Sequence, residues 1–174
     1  MTGSGFSPVT RQLSTDVLAR AADYWIVTAE SCTGGLLAAA LTDIPGSSES
    51  FDRGFVTYSN MAKSELLSIS AELIVTRGAV SKEVAEAMAT GAIKAASKTK
   101  PASIGVGVTG IAGPGGGSPE KPVGLVHVAA ARSSVGADPI ILHEECRFGP
   151  LSREEIRRLS VDVALRLMLR VIAR

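Results

Sequence analysis

Apolar positions along this chain change their period several times, and each change marks an element. Leu13, Val17, Leu18 and Ala21 recur at helical spacing and predict a helix over residues 8–23. Trp25-Ile26-Val27 is a short apolar run and predicts a strand over 25–29. A helix over 34–42 follows, ended by the turn Ile44-Pro45-Gly46-Ser47-Ser48. Phe55 and Val56 centre a strand over 51–59. Asn60 is expected to cap a short helix reaching residue 67, and Ser70 to open another ending near Arg77-Gly78. Ser81 should cap the longest central helix, over 82–97, with Val84, Met88, Ala92 and Ala96 as its apolar face. A strand of small residues over 102–109 leads into a glycine- and proline-rich loop over 110–121. Two further strands are expected over 123–130 and 140–148, with Gly136-Ala137-Asp138-Pro139 between them. The last helix starts near residue 152, with Ile156, Leu159, Val163, Leu167 and Val171 as its buried stripe and Arg158, Asp162, Arg166 and Arg170 on another face.

Strands and helices alternate first, and two strands become neighbours late. That order predicts an α/β fold: a three-layer α/β/α single domain with a mainly parallel, partly mixed sheet. No repeat or linker interrupts the 174 residues, so residues 1–174 read as one domain. A hydrophobic content of 45% excludes a disordered chain. The near balance of 18 basic and 17 acidic residues provides no footprint for nucleic acid. No run approaches the 20 or so apolar residues of a membrane span, the last helix is too charged to be one, and MTGSGFSPVTRQLS lacks the marks of a signal peptide. A cytoplasmic protein without a membrane partner is expected, and a homo-oligomer remains open. Two cysteines, Cys32 and Cys146, make no disulfide framework, and with His127 and His143 they show no metal-ligand spacing. No metal or cofactor is expected.

Ligands of open α/β sheets bind beyond the carboxyl ends of the strands. Three loops qualify, over 30–35, 58–63 and 110–121. In the first, Ser31 stands where a strand turns into a helix, and N–H groups at that helix start could hold an oxyanion while Gly34 and Gly35 admit a substrate. The plainer alternative, that Ser31 or Thr33 merely caps the helix, is favoured by spacing alone. Cys32 could be a thiolate nucleophile, or an inert buried thiol. In the second loop, Lys63 could serve as a base if burial lowers its pKa, with Tyr58 beside it; the alternatives are a surface lysine and a rim aromatic. In the third, Gly110-Ile111-Ala112-Gly113-Pro114-Gly115-Gly116-Gly117-Ser118 could form an anion-binding nest, or a flexible connection. Gly105-Val106-Gly107-Val108-Thr109-Gly110 matches G-x-G-x-x-G, but its first glycines fall inside a strand and no helix opens at the third, so a dinucleotide fingerprint is rejected.

Taken together, AESCTGG (29–35), IPGSSESFDRGFVTYSNMAKSELL (44–67), GAVSKEVAEAMA (78–89) and GIAGPGGGSPEKPVGLV (110–126) resemble the CinA C-terminal domain family, whose active members are nicotinamide-nucleotide amidases. These stretches cover about a third of the chain in the expected order, and the likeness runs over nearly its full length, as in a stand-alone form of the domain. The resemblance implies an amidohydrolase of the Ser/Lys type, with Ser31 as nucleophile and Lys63 and Tyr58 as its partners. It implies a small pyridine nucleotide as substrate, nicotinamide mononucleotide, converted to nicotinate mononucleotide and ammonia. N–H groups around Cys32, Thr33, Gly34 and Gly35 would hold the oxyanion, and Thr109, Gly110, Gly113, Pro114 and Gly117 would line the nucleotide pocket. One departure stands out: many relatives carry Gly-Asp-Arg just before the last helix, where this chain has Gly149-Pro150-Leu151-Ser152-Arg153, leaving Arg153 as the counterpart. A thiol amidase using Cys32, and a nucleotide-binding module without turnover, are the rival readings.

Overall fold

A computed structural model of the chain describes residues 5–96, 99–134 and 137–174. Its elements are α1 (Pro8–Arg20), β1 (Tyr24–Glu30), α2 (Leu36–Thr42), a 3-10 turn (Ser47–Glu49), β2 (Phe51–Val56), α3 (Asn60–Leu67), α4 (Ala71–Arg77), α5 (Lys82–Ala95), β3 (Ala102–Gly110), β4 (Leu125–Ser134), β5 (Ile140–Arg147) and α6 (Arg153–Ile172). Every expected element is present, with shifted ends. The helix expected from residue 34 begins at Leu36, because Gly34 and Gly35 take positive φ of 59° and 92° and no right-handed turn can start through them. Ser59, not Asn60, caps α3: its hydroxyl accepts from the Ala62 N–H at 3.0 Å while its backbone stays extended, and Asn60 is already helical. Ser81 and Ser152 cap α5 and α6, the latter in a capping box with Glu155. On α6, Leu159 is exposed and Val163 half-buried, and the buried stripe adds Val161, Leu165 and Met168 to the expected Ile156, Leu167 and Val171. Ser97 and Gly136, expected at a helix end and in a turn, lie outside the described residues.

The sheet has the order β2-β1-β3-β4-β5. β1 is parallel to both β2 and β3, whereas β4 is antiparallel to both β3 and β5. Hence β1, β2, β3 and β5 run one way and β4 alone the other, the mainly parallel, partly mixed arrangement expected. Side chains alternate between the faces. Ile26, Ile104, Val106, Val108, Val126 and Val128 meet residues of α1, α2 and α6, among them Val17, Leu37, Ile156 and Leu165. Val27 and Ala29 face the other way, onto Val84, Met88 and Ala92 of α5 and onto Leu67 and Ile74.

α5 lies unusually close to the sheet, and β3 shows why. A Cβ on Gly105 would stand 2.0 Å from the Ala89 carbonyl oxygen, and one on Gly107 would stand 2.2 Å from that of Ala85. Beside them Ala129 and Ala131 pack on Ala85 and Ala89. The glycines of the rejected dinucleotide pattern therefore serve helix-on-sheet packing.

The chain leaves β1 through α2 on one face and leaves β2 through α3, α4 and α5 on the other. β2 and β3 consequently flank β1 on opposite sides, and the carboxyl end of β1 is the topological switch point where α/β sheets open a crevice. Among the described residues, no helix is long and apolar enough to cross a membrane.

Candidate active site

The turn after β1 is held at both of its ends. Ser31 donates its N–H to the Val108 carbonyl on β3 (2.9 Å), and the Ser31 carbonyl accepts from the Gly34 N–H (3.1 Å). Glu30, fully buried, sends its carboxylate forward to the start of α2. Its oxygens accept from the N–H groups of Gly35 (3.0 Å), Leu37 (3.0 Å) and Ala38 (2.9 Å). Neither Ser31 nor Thr33 caps α2; Gly35 occupies the cap position without a side-chain bond, and the carboxylate does the capping. This frees the Ser31 hydroxyl for other work. It also corrects the expected oxyanion donors. The N–H groups of Gly34 and Gly35 are engaged, whereas no oxygen among the described residues accepts from those of Cys32 and Thr33.

Lys63 reaches the turn from α3. Its side chain is 1% exposed, far from the surface lysine that spacing alone would favour. Nζ donates to Ser31 Oγ (3.1 Å) and to the Thr57 carbonyl (2.8 Å). No carboxylate pairs with it among the described residues. Burial therefore lowers its pKa from the ordinary lysine value, opposed in part by the nearby Cys32 thiol. A neutral amine at this position keeps one N–H on Thr57 and turns its lone pair toward Ser31.

Cys32 points the opposite way. It is 5% exposed, lies in the core formed with α2 and α6, and has its thiol pushed up to about 12. Burial is the main cause; the Glu30 carboxylate adds to it, while its own backbone N–H, Arg153 and Arg157 oppose it. A thiol so placed is not a nucleophile near neutral pH.

Tyr58 is exposed, and its hydroxyl accepts from Arg153 Nη2 (2.6 Å), not from Lys63. The structure brings Lys63 to Ser31 directly, without the tyrosine between them. Arg153 also donates through Nη1 to the Gly113 carbonyl (2.8 Å) and so ties the β2–α3 junction, the 110–124 loop and α6 together. The segment before α6 thus ends on an arginine that reaches the site. Arg157, one turn further along α6, donates to the Thr33 carbonyl (2.7 Å) and reaches the same turn. Sequence reasoning passed over Arg157; the signal available was its spacing of four from Arg153, which sets both on one face of a helix. The two arginines line a cavity of about 390 Å³ with Leu36, Glu154 and Arg158.

Thr109 is buried at the end of β3 and donates to the Ala79 carbonyl (2.8 Å), with Gly110 the last residue of the strand. The loop beyond is not a slack connection. Ile111 and Gly124 bond across it to Leu125 and Ile111, and Ser118 bonds Lys121. Lys121 in turn donates to the Arg77 and Val80 carbonyls, so it is not free for a ligand. Gly113 is buried, while Pro114 and Gly117 are exposed at the loop surface. His127 and His143 pair with each other at 3.0 Å, and no group of three metal-ligating side chains exists among the described residues.

Similarity to known proteins agrees with this fold. The family profile described as the CinA C-terminal domain matches residues 10–172. A nicotinamide-nucleotide amidohydrolase, PncC, of Escherichia coli K12 is 44% identical over 165 residues, 95% of this chain and 93% of that protein. The protein of the same name from Enterobacter agglomerans is 48% identical over 151 residues, 87% of each. A CinA-like protein of Chlorobium luteolum is 58% identical over 113 residues, 65% of this chain, and the match spans only a quarter of that longer protein. The crystal structure of a competence/damage inducible protein from Agrobacterium tumefaciens superposes with a TM-score of 0.87 at 44% identity, covering 97% of this chain and 99% of the other.

Proposed function

The chain belongs to the CinA C-terminal domain family, and from that premise we propose that it hydrolyses the carboxamide of nicotinamide mononucleotide through an acyl-enzyme on Ser31. The observation that carries this reading is the buried Lys63, held without a carboxylate partner and 3.1 Å from Ser31 Oγ. The names of the Escherichia coli and Enterobacter agglomerans relatives support the substrate.

Neutral Lys63 takes the proton of the Ser31 hydroxyl as Oγ bonds the carboxamide carbon. The carbonyl oxygen becomes an oxyanion, held by the N–H groups of Cys32 and Thr33. As the intermediate collapses, the C–N bond breaks and the ammonium of Lys63 returns its proton to the departing nitrogen, releasing ammonia. Water then attacks the ester as Lys63 takes its proton, and Lys63 passes that proton to Oγ as the Oγ–C bond breaks, releasing nicotinate mononucleotide and restoring the Ser31 hydroxyl and the neutral amine. The pyridinium ring of the substrate disfavours a second positive charge nearby and so helps to keep Lys63 neutral. Arg153 and Arg157 supply the positive charge that complements the 5′-phosphate.

Chromatography of the products tests the reading. Purified protein with nicotinamide mononucleotide is expected to yield nicotinate mononucleotide and ammonia in equal amounts. Saturable binding of the nucleotide with neither product formed would replace the amidase with a binding module.

A further inference from the structure

We propose that Glu30 is the positioning residue of this site, filling the start of α2 so that the 31–35 turn presents Ser31 Oγ to Lys63 and leaves the Cys32 and Thr33 N–H groups for the oxyanion. The inference rests on the amidase reading. It adds a residue that touches neither substrate nor the reacting atoms.

Three donors converge on one buried carboxylate from positions five, seven and eight residues ahead of it in the chain. The side chain therefore closes the turn into a ring, with the nucleophile inside. The backbone of the same residue holds the other half of the pair. Its carbonyl accepts from the Thr57 N–H (2.8 Å), and the Thr57 carbonyl accepts from Lys63 Nζ (2.8 Å). β2 and β3 clamp it on both sides, with Val56 and Val108 in register. Both Ser31 and Lys63 are thus placed from Glu30, one through its side chain and one through its backbone.

An amide cannot do the same. Three N–H donors share two carboxylate oxygens, and glutamine would turn an NH₂ group toward one of them. Aspartate keeps the charge but lacks a methylene of reach. The carboxylate charge has a second effect on the neighbouring Cys32. The charged and titratable groups around that thiol are Glu30 from β1, Lys63 from α3, and Arg153 and Arg157 from α6. Glu30 is the anion of this set, and it opposes a thiolate that the two arginines would favour. The arrangement leaves serine as the nucleophile in a turn that holds both residues.

Glu30→Gln and Glu30→Asp test the proposal in two independent ways. In turnover of nicotinamide mononucleotide, both should lower kcat by about 100-fold with little change in KM, since a displacement of about 1 Å costs that much. Amide exchange at Gly35, Leu37 and Ala38 should quicken in both variants. Unchanged kcat in a folded Glu30→Gln protein, or unchanged exchange at those amides, would overturn the proposal. If Glu30→Gln does not fold, Glu30→Asp decides the matter by the same kcat and exchange criteria. Wild-type protein without turnover would remove the amidase reading, while amide exchange would still decide whether Glu30 holds the turn.

Discussion

Lys63 is costly to fold as an ammonium, because burial removes water and no anion among the described residues replaces it. Lys63→Met is therefore expected to abolish amidase activity without lowering Tm, which scanning calorimetry and an ammonia assay would check together. A lower Tm would mean that the lysine is structural. The pH dependence follows from the same shift. The neutral amine is the base, so kcat/KM should rise with pH through the lowered pKa, with its ascending limb below the ordinary lysine value of about 10.4. Stability has a matching sign. Between the lowered folded pKa and about 10.4 the unfolded chain binds more protons than the folded one, so stability climbs with pH across that window, and Lys63→Met should flatten the climb. The roles of Ser31 and Lys63 were not legible from local pattern, because the two side chains are 32 residues apart in sequence and meet only through the sheet. Glu30 was hidden for a related reason: a carboxylate that caps a helix from the preceding strand breaks the spacing rule by which caps are recognised.

The helices and strands themselves follow from the sequence pattern. Hydroxyl caps at Ser70 and Ser81 and the short apolar run of β1 are local signals, and the structure carries them where the pattern points. Element ends moved where a residue's conformation overrode its type, as at Gly34 and Gly35. The contact of α5 with β3 is the element-scale feature that tolerates least. In Gly107→Ala the new methyl would press on backbone at Ala85 and Ala89, which no rotamer change relieves. The variant is expected to lose at least about 1–3 kcal/mol of stability, measured by urea unfolding. A loss under about 0.5 kcal/mol, the ordinary surface range, would show that α5 can lift from the sheet at no cost.

On the scale of the whole molecule, the active-site crevice exists because α2 and α3–α5 depart from neighbouring strands on opposite faces, and α6 then closes one side with Arg153 and Arg157. The α/β class and the mixed sheet could be read from element order. Strand order could not, since nothing local tells β3 to pair with β1 rather than with β2. Both helical layers pack on the same five-stranded sheet, so unfolding is expected to be one cooperative transition. Circular dichroism and the fluorescence of Trp25, the one tryptophan, should report the same midpoint, and separate midpoints would indicate independent units. The central claim, that a serine activated by a buried neutral lysine performs the chemistry, is tested most directly by ammonia release from nicotinamide mononucleotide in wild type, Ser31→Ala and Cys32→Ala side by side. The account predicts a loss of about a thousandfold or more in Ser31→Ala and near-normal turnover in Cys32→Ala. Turnover surviving in Ser31→Ala and lost in Cys32→Ala would contradict it.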